Sequence, residues 1–413
     1  MKNLKGACLF GQSGGPTSVI NASAAGVFIE ALKQDLITEV YGAEHGIKGI
    51  LDERFFDINK EDAEELMLLK NTPSSALGSV RYKLAKLEDD EKDYKRILEV
   101  FKKYNIRYFF YNGGNDSMDT CNKVSKYLKN SGYECNVIGV PKTIDNDLFG
   151  TDHCPGFGSA AKYVATTMME LYLDTHVYNT GLITVVEIMG RNAGWLTAAS
   201  HLACLDGKGP DLIYLPELDF DLEKFLVDLK EVATKKHNKV IVAISEGIKD
   251  KNGKYISEYG TEIAKDSFGH AQLGGAASVL AGIIKEKLGV KVRPIEFSLL
   301  QRCAAHLASK VDVEEAFMAG RMAVKYAVAG ETDQMVIFKR SEGPVYNISY
   351  ELVNVSVAAN TEKKVPREWI NEAGNGIKQE FVDYALPLIQ GESKAPLVNG
   401  LPRFAKLAKV LVK

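Results

Sequence analysis

Several short stretches gather residue types that do chemistry with phosphates, hydroxyls and cations. The most telling is Pro141-Lys142-Thr143-Ile144-Asp145-Asn146-Asp147. In an extended chain Asp145 and Asp147 face one side and Asn146 the other. Two carboxylates on one face repel unless a cation or a proton intervenes. One of them could hold Mg2+, which takes hard oxygen ligands, and the other could take a proton from a hydroxyl. Lys142 adds a mobile positive charge suited to a phosphate. The plainer alternative is an Asx-rich surface turn. Gly11-Gln12-Ser13-Gly14-Gly15-Pro16 and Gly113-Gly114-Asn115-Asp116-Ser117 both have the look of loops between a strand and a helix. There glycines let the backbone approach a ligand and a helix start offers free N–H groups to an anion. Neither stretch is Gly-x-Gly-x-x-Gly or a Walker A loop, and a tight turn with Asp116 or Ser117 as a helix cap would also explain them. In Glu187-Ile188-Met189-Gly190-Arg191-Asn192-Ala193-Gly194-Trp195, an arginine among glycines suits an anionic ligand, or it pairs locally. In Ser245-Glu246-Gly247, Glu246 could accept sugar hydroxyls or be a solvated loop acid. Taken together, phosphate-type and magnesium-type groups at strand ends point to phosphoryl transfer.

The elements that must carry these loops are legible as alternating apolar runs and helical patterns. Strands are expected at Ala7 to Phe10, Val40 to Gly42, Tyr108 to Tyr111, Val137 to Val140, Leu182 to Ile188, Leu212 to Leu215, Val240 to Ile244 and Val292 to Phe297. Helical periodicity runs from about Thr17 to Leu32. A second helix is expected over Glu88 to Tyr104, with Tyr94, Ile97, Leu98 and Phe101 on one face and Glu88/Lys92 and Glu91/Lys95 pairs on the other. Strand, loop and helix in repetition mean parallel sheets with helices on both faces. There are too many strands for one modest sheet, so two α/β layers are expected, with a boundary near the Gly150, Pro155, Gly156 and Gly158 cluster. In open parallel sheets ligands bind at the carboxyl ends of the strands, where these loops fall. The last stretch of chain loses the alternation.

Composition excludes several classes. The 413 residues hold 51 basic and 54 acidic side chains, a formal charge of −3, so there is no positive excess to coat nucleic acid. No apolar run approaches the ~18 residues of a membrane-spanning helix. The start, Met1-Lys2-Asn3-Leu4-Lys5-Gly6, is too polar and short for a secretory leader. The 6 cysteines form no Cys-x-x-Cys pair, which disfavours a zinc ribbon or disulfide scaffold and favours reduced thiols in a cytoplasm.

With the motifs in this order, the chain resembles the phosphofructokinase family over about residues 4 to 330, most clearly its pyrophosphate-dependent members. The Pro141–Asp147 and Met189–Trp195 blocks carry the resemblance. It implies two Rossmann-like three-layer α/β domains with mainly parallel sheets and an active site in the cleft between them. Residues 1–158 plus about 302–355 would form the phosphoryl-donor domain and 159–301 the fructose 6-phosphate domain. Residues 356–413 are expected as a mainly helical extension packing on the core. The implied reaction is reversible, Mg2+-dependent transfer of a phosphoryl group from pyrophosphate to the 1-hydroxyl of fructose 6-phosphate, as in glycolysis and gluconeogenesis.

Carried over by motif, Asp145 resembles the general base and Thr143 lies beside the transferring phosphate. Asp147 resembles the acid that helps position Mg2+. Gly15 resembles the backbone against the donor phosphates, with Gly114, Asn115, Asp116 and Lys142 completing the donor site. Arg81 matches an arginine on the phosphoryl group in flight. Thr143, Asp145, Asp147, Met189, Gly190, Arg191, Glu246, Arg293 and Arg302 match the fructose 6-phosphate site. Asn115 and Asp147 are the implied metal-binding pair. Asn115 stands where relatives usually have aspartate, so its metal role is weaker or passes through water.

The donor choice has a physical logic. ATP-dependent relatives have glycine at the position of Asp116, leaving room for the nucleotide α-phosphate, and a small residue at that of Lys142. The acid at 116 opposes an α-phosphate, and the lysine attracts pyrophosphate. Leu299 and Leu182 replace phosphate-binding side chains of many relatives, and Ala25 and Ile29 replace effector-site arginines, so nucleotide regulation through that site is not expected. The resemblance implies a cytoplasmic homodimer or homotetramer in which Arg293 reaches a neighbouring subunit's site, with no nucleic acid or membrane partner. An ATP-dependent enzyme and a non-catalytic regulatory paralogue are the competing readings.

Overall fold

The computed structural model describes residues 4–259, 275–359 and 361–412; residues 1–3 of the polar N-terminal stretch lie outside them. In chain order the main strands are β1 (Gly6–Gln12), β2 (Ile37–Ala43), β3 (Phe55–Asp57), β4 (Ile106–Gly113) and β5 (Asn136–Pro141). They continue with β6 (Leu182–Ile188), β7 (Leu212–Tyr214), β8 (Lys239–Ser245), β9 (Val292–Glu296), β10 (Gln334–Arg340) and β11 (Ile348–Asn354). The chain forms two compact units, one of Met1–Ser159, Ala305–Glu362 and Gly391–Lys413, the other of Ala160–Ala304 and Lys363–Gln390.

The first unit holds a sheet of order β11-β10-β5-β4-β1-β2-β3. Its inner pairs are parallel, and the outer strands β3 and β11 run antiparallel. Every residue of β1 is buried, as a strand covered on both faces requires. Alternation along β4 shows the two layers: Phe109 and Tyr111 enter one apolar cluster with Phe101, and Tyr108 and Phe110 enter the other with Phe28. The first helix begins at Ile20 rather than near Thr17. Thr17 instead accepts the Val19 N–H at 3.2 Å through its hydroxyl, a local turn that competes with helix. The charged helix spans Lys92–Lys103, a turn later than its periodicity predicts. Asp90 accepts the Lys92 N–H at 2.8 Å just before it. Tyr94, Ile97 and Phe101 are buried as expected, and Glu91 pairs with Lys95 at 2.9 Å.

The second unit holds a sheet of order β7-β8-β6-β9, parallel throughout. Ile183 and Val185 of β6 pack with Val240, Val242 and Ile244 of β8 under the helices Leu222–Lys235 and Ala276–Leu288. The expectation of a mainly helical tail over 356–413 needs correction. It holds the end of a short helix, Val355–Ala359, then Gln379–Ala385, a small ribbon Leu397–Val398/Leu401–Pro402 and much irregular chain. Pro366, Pro387, Pro396 and Pro402, with Gly374, Gly376, Gly391 and Gly400, interrupt any longer helix.

Candidate active-site residues

Strand register in the first unit brings three of the marked loops to one edge. Gln12 of β1 pairs with Asn112 of β4, which pairs with Val140 of β5. The loops at 13–16, 113–117 and 141–147 therefore leave the sheet side by side at its carboxyl end. The strand order reverses between β1 and β4, where open α/β sheets bind their ligands.

Each loop is held by polar side chains at the strand ends. Gln12, fully buried, donates to Asn21 Oδ1 at 3.0 Å and accepts the Leu77 N–H at 3.0 Å. That bond brings the 77–81 segment against the first loop. Gly14 donates its N–H to Val80 O at 3.2 Å and accepts the Ser79 hydroxyl at 2.6 Å. Gly14 has φ of 75°, a left-handed conformation that favours glycine. Arg81, exposed, follows directly. Lys142 is only 4% exposed, and its ammonium donates to Gly15 O at 2.7 Å, crossing β4 to reach the β1 loop. Gly113 has no room for a side chain, because a Cβ there would lie 1.9 Å from Ser117 Oγ. At Gly114 the nearest atom to a Cβ would be 3.6 Å away, so no described residue crowds this position. Asp116 is exposed in the first turn of the helix Asn115–Asn130, where the helix dipole favours an acid.

The Asp145 loop is tightly tied. Thr143 Oγ1 accepts the Asp145 N–H at 3.1 Å, and the same hydroxyl bonds Asp147. Asn115 Nδ2 donates to Asp147 Oδ2 at 3.1 Å. Burial raises the Asp147 carboxyl well above the usual carboxylate range, and the charges of Asp145 and Glu362 push it further. The repulsion expected of two acids on one face is thus present. Behind the loop, Asn146 has φ of 55° and accepts the Cys154 N–H at 2.9 Å. Buried Asp312 accepts the Gly156 N–H at 2.9 Å and that of Ser159 at 2.8 Å. His153 bridges Asp152 at 2.8 Å and Glu315 at 2.7 Å. Sequence reasoning assigned no bracing role to Gln12, Asn112, Asn146 and Asp312. Gln12 and Asn112 had one visible signal, a polar residue closing an otherwise apolar strand.

In the second unit the loop after β6 is shaped by its neighbours. Gly190 has φ of 141°, and a Cβ there would lie 2.6 Å from Ala193 O. Its N–H donates to Glu246 Oε1 at 3.3 Å, and its carbonyl accepts the Ser245 hydroxyl. Buried Gln301 accepts the Met189 N–H at 3.3 Å. Arg302 follows Gln301 directly, so Met189, Gly190, half-buried Arg191, Glu246 and Arg302 gather at the carboxyl end of this sheet. Arg293 does not join them. It lies opposite Thr184, well inside the sheet, and pairs with Asp174 at 2.9 Å on the surface. Glu187 caps the helix Ala276–Leu288, accepting the Ala277 N–H at 2.9 Å, and burial raises its carboxyl to about 7.

Residues 8–295 match the family described as Phosphofructokinase. The chain belongs to the phosphofructokinase family. It is 45% identical over 405 residues to the pyrophosphate–fructose 6-phosphate 1-phosphotransferase of Halomonas elongata, covering 97% of this chain and 96% of that one. A protein of the same name from Xanthomonas campestris is 45% identical over 416 residues, with 98% and 97% covered. The crystal structure of a pyrophosphate-dependent phosphofructokinase from Nitrosospira multiformis superposes with a TM-score of 0.89 at 41% identity, covering 98% of each chain. The two-domain α/β fold with mainly parallel sheets is that of this phosphofructokinase family.

Asn115 and Asp147 offer oxygens of the kind Mg2+ takes. Asn115 Oδ1 is buried with no hydrogen-bond partner, beside the Asp147 carboxylate that its own amide holds. An orphaned buried oxygen is costly unless something fills it. Among the described residues no group of three or more His, Cys, Asp and Glu could hold a metal. Two protein oxygens, with phosphate oxygens and water completing the shell, are what Mg2+ commonly takes. Among the described residues no helix is long and apolar enough to cross a membrane.

Proposed function

We propose that this phosphofructokinase transfers a phosphoryl group reversibly from pyrophosphate to the 1-hydroxyl of fructose 6-phosphate, giving fructose 1,6-bisphosphate and phosphate. The observation that carries the donor choice is Lys142. Its ammonium is buried, bonded to Gly15 O, and fixed at the head of the loop that holds Asp145 and Asp147. An acid, Asp116, opens the helix beside it. A fixed cation favours a compact, highly charged donor, and an acid at that helix start repels the extra phosphate of a nucleotide.

In this reading the N–H groups about Gly15 and the start of the helix at Asn115 bind the pyrophosphate oxygens. Asp145 takes the proton of the 1-hydroxyl, and that oxygen attacks the terminal phosphorus while the bridging P–O bond breaks to release phosphate. Arg81 and Lys142 meet the charge that develops on the transferring group, and Thr143 fixes the Asp145 backbone. Asn115 and Asp147, directly or through water, would hold Mg2+, which when bound neutralises phosphoryl oxygens as a Lewis acid. Met189, Gly190, Arg191, Glu246 and Arg302 bind fructose 6-phosphate. Arg293 serves a neighbouring subunit in a homodimer or homotetramer, since its own strand carries it away from this cluster. The protein acts in the cytoplasm, where its sugar phosphate is found.

The test is turnover with Mg2+, fructose 6-phosphate and either donor. Pyrophosphate should support it and ATP should support little. Turnover with ATP at least matching pyrophosphate overturns the donor assignment. Turnover that survives Asp145→Ala overturns the base.

A further inference from the structure

The match to the family stops at residue 295, so the segment 363–390 lies beyond it. In the second unit that segment is bound to the loop bearing Met189, Gly190 and Arg191. Glu217 Oε1 accepts two N–H groups, from Gly194 at 2.8 Å and from Val365 at 3.0 Å. One carboxylate oxygen therefore ties the loop to the segment. A second tie is the indole N–H of Trp195, which donates to Lys363 O at 2.9 Å. Aromatic packing makes a third: Trp195 lies 6.0 Å from Trp369, 6.2 Å from Phe381 and 5.2 Å from Tyr384, centroid to centroid. The Lys363 ammonium lies over the Trp195 ring at 5.0 Å. The loop is also built for this contact, because a Cβ at Gly194 would fall 2.7 Å from Glu217 Oε2. Further along, Asn375 O accepts the Ile213 N–H at 2.9 Å and Asn375 Nδ2 donates to Asp228 at 2.8 Å, which ties the segment to the sheet edge as well.

We infer that residues 363–390 form a clamp that fixes the Met189–Trp195 loop for the sugar phosphate, with Glu217 and Trp195 as its positioning residues. This rests on the proposed binding of fructose 6-phosphate by Met189, Gly190 and Arg191. The Gly190 conformation is one that an unbraced loop would leave readily. Holding Gly194 and Trp195 at one end, with Gln301 and Glu246 at the other, leaves the intervening arginine few alternatives. Ordering the loop before the ligand arrives lowers the ordering penalty of binding.

The chain has 2 tryptophans, Trp195 and Trp369, so its tryptophan emission reports this junction alone. The experiment is steady-state kinetics of the full chain in both substrates, with emission recorded against fructose 6-phosphate alone. In the wild type the sugar phosphate should change the emission. Glu217→Ala, which strips an acceptor from two N–H groups, should raise KM for fructose 6-phosphate about tenfold. KM for pyrophosphate should stay within about twofold, since Glu217 and the segment 363–390 belong to the second unit and the donor loops to the first. Glu217→Gln keeps an acceptor oxygen and should restore KM to within about threefold of wild type. Trp195→Phe removes the indole donor and trims the ring packing, and should raise the sugar-phosphate KM by a smaller factor even where Glu217→Ala fails to fold. Equal changes in both KM values, an unchanged sugar-phosphate KM in folded Glu217→Ala or Trp195→Phe, or no rescue by Gln would overturn the clamp. A wild-type chain inert with pyrophosphate refutes the function itself, whereas an active wild type with indifferent variants refutes the clamp only.

Discussion

Lys142→Met separates the donor assignment from the rest of the chemistry. Methionine roughly preserves the volume of a side chain that is 4% exposed, so packing is kept and the ammonium is lost. Two contributions go with it. The charge-assisted bond to Gly15 O, 2.7 Å long, is of the kind worth ~1.5–3 kcal/mol. Part of that returns, because Gly15 is only half-buried and water can replace the donor. The attraction of a fixed cation for a phosphoryl oxygen at ~4 Å is at most ~4 kcal/mol at an effective dielectric of ~20, and bound Mg2+ competes for the same charge. A combined loss of about 3 kcal/mol is a reasonable sum, which is about a hundredfold in kcat/KM for pyrophosphate. The assay is initial rate against pyrophosphate at saturating fructose 6-phosphate, then the reverse titration. The sugar-phosphate KM should hardly move, because Lys142 belongs to the donor loops. A kcat/KM for pyrophosphate within threefold of wild type would refute the role given to this lysine. An equal loss in both substrates would mean that the ammonium only holds the fold.

Asp145→Asn keeps the shape of the loop and removes the base, so kcat should fall by about 10²–10⁴ with little change in either KM, read from progress curves at saturation. Asp116→Gly with Lys142→Gly should lose most pyrophosphate turnover and gain measurable ATP turnover, checked with both donors side by side; an unaltered donor preference would count against the charge argument. His153 yields a pH prediction. Burial, the largest influence, pulls its pKa down, but the charges and hydrogen bonds of Glu315 and Asp152 outweigh it and the net shift is upward from 6.5. The native state then binds more protons than the unfolded one, so this contribution is complete below about pH 6.5 and fades as pH rises through the folded pKa. Thermal midpoints measured upward from pH 6 should therefore decline, and Glu315→Gln should flatten that decline.

How far the sequence discloses this protein depends on where the relevant partners lie along the chain. The inner parallel strands such as β1, β6 and β8 were legible because a strand covered on both faces must be apolar throughout, whereas β3, β10 and β11 at the margins of the first sheet were not expected. The loops were legible because polar and glycine residues follow those runs at once. The helix starts near Ile20 and Lys92 were misjudged by a few residues, since Thr17 and Asp90 make local bonds that periodicity does not register. The proline-broken tail carries too little periodicity for its contacts to be read, although it supplies Val365 and Trp369 to the second unit.

The bracing residues stay hidden for a different reason. Asp312 holds Gly156, Gln12 holds Leu77, Gln301 holds Met189 and Glu217 holds both Gly194 and Val365. In each case a single polar side chain meets a backbone N–H far away in sequence. A lone Asp near a helix start looks like a cap, and a lone Gln looks like surface. Arg293 and Arg302 are both matched to sugar-phosphate binding, Arg293 at a neighbouring subunit's site. Their close spacing invites one role for both, yet Arg293 lies within β9 and Arg302 beyond its end, so the sheet carries them to different places. Spacing along a chain reports a shared face only while the chain keeps one conformation, and between these arginines the strand ends and a helical turn begins. If Arg293 contributes to a sugar-phosphate site, it must be one that another subunit completes. Arg293→Ala should then raise the fructose 6-phosphate KM only in assembled protein and leave dissociated chains, followed by dilution in a sedimentation assay, with unaltered sugar-phosphate affinity.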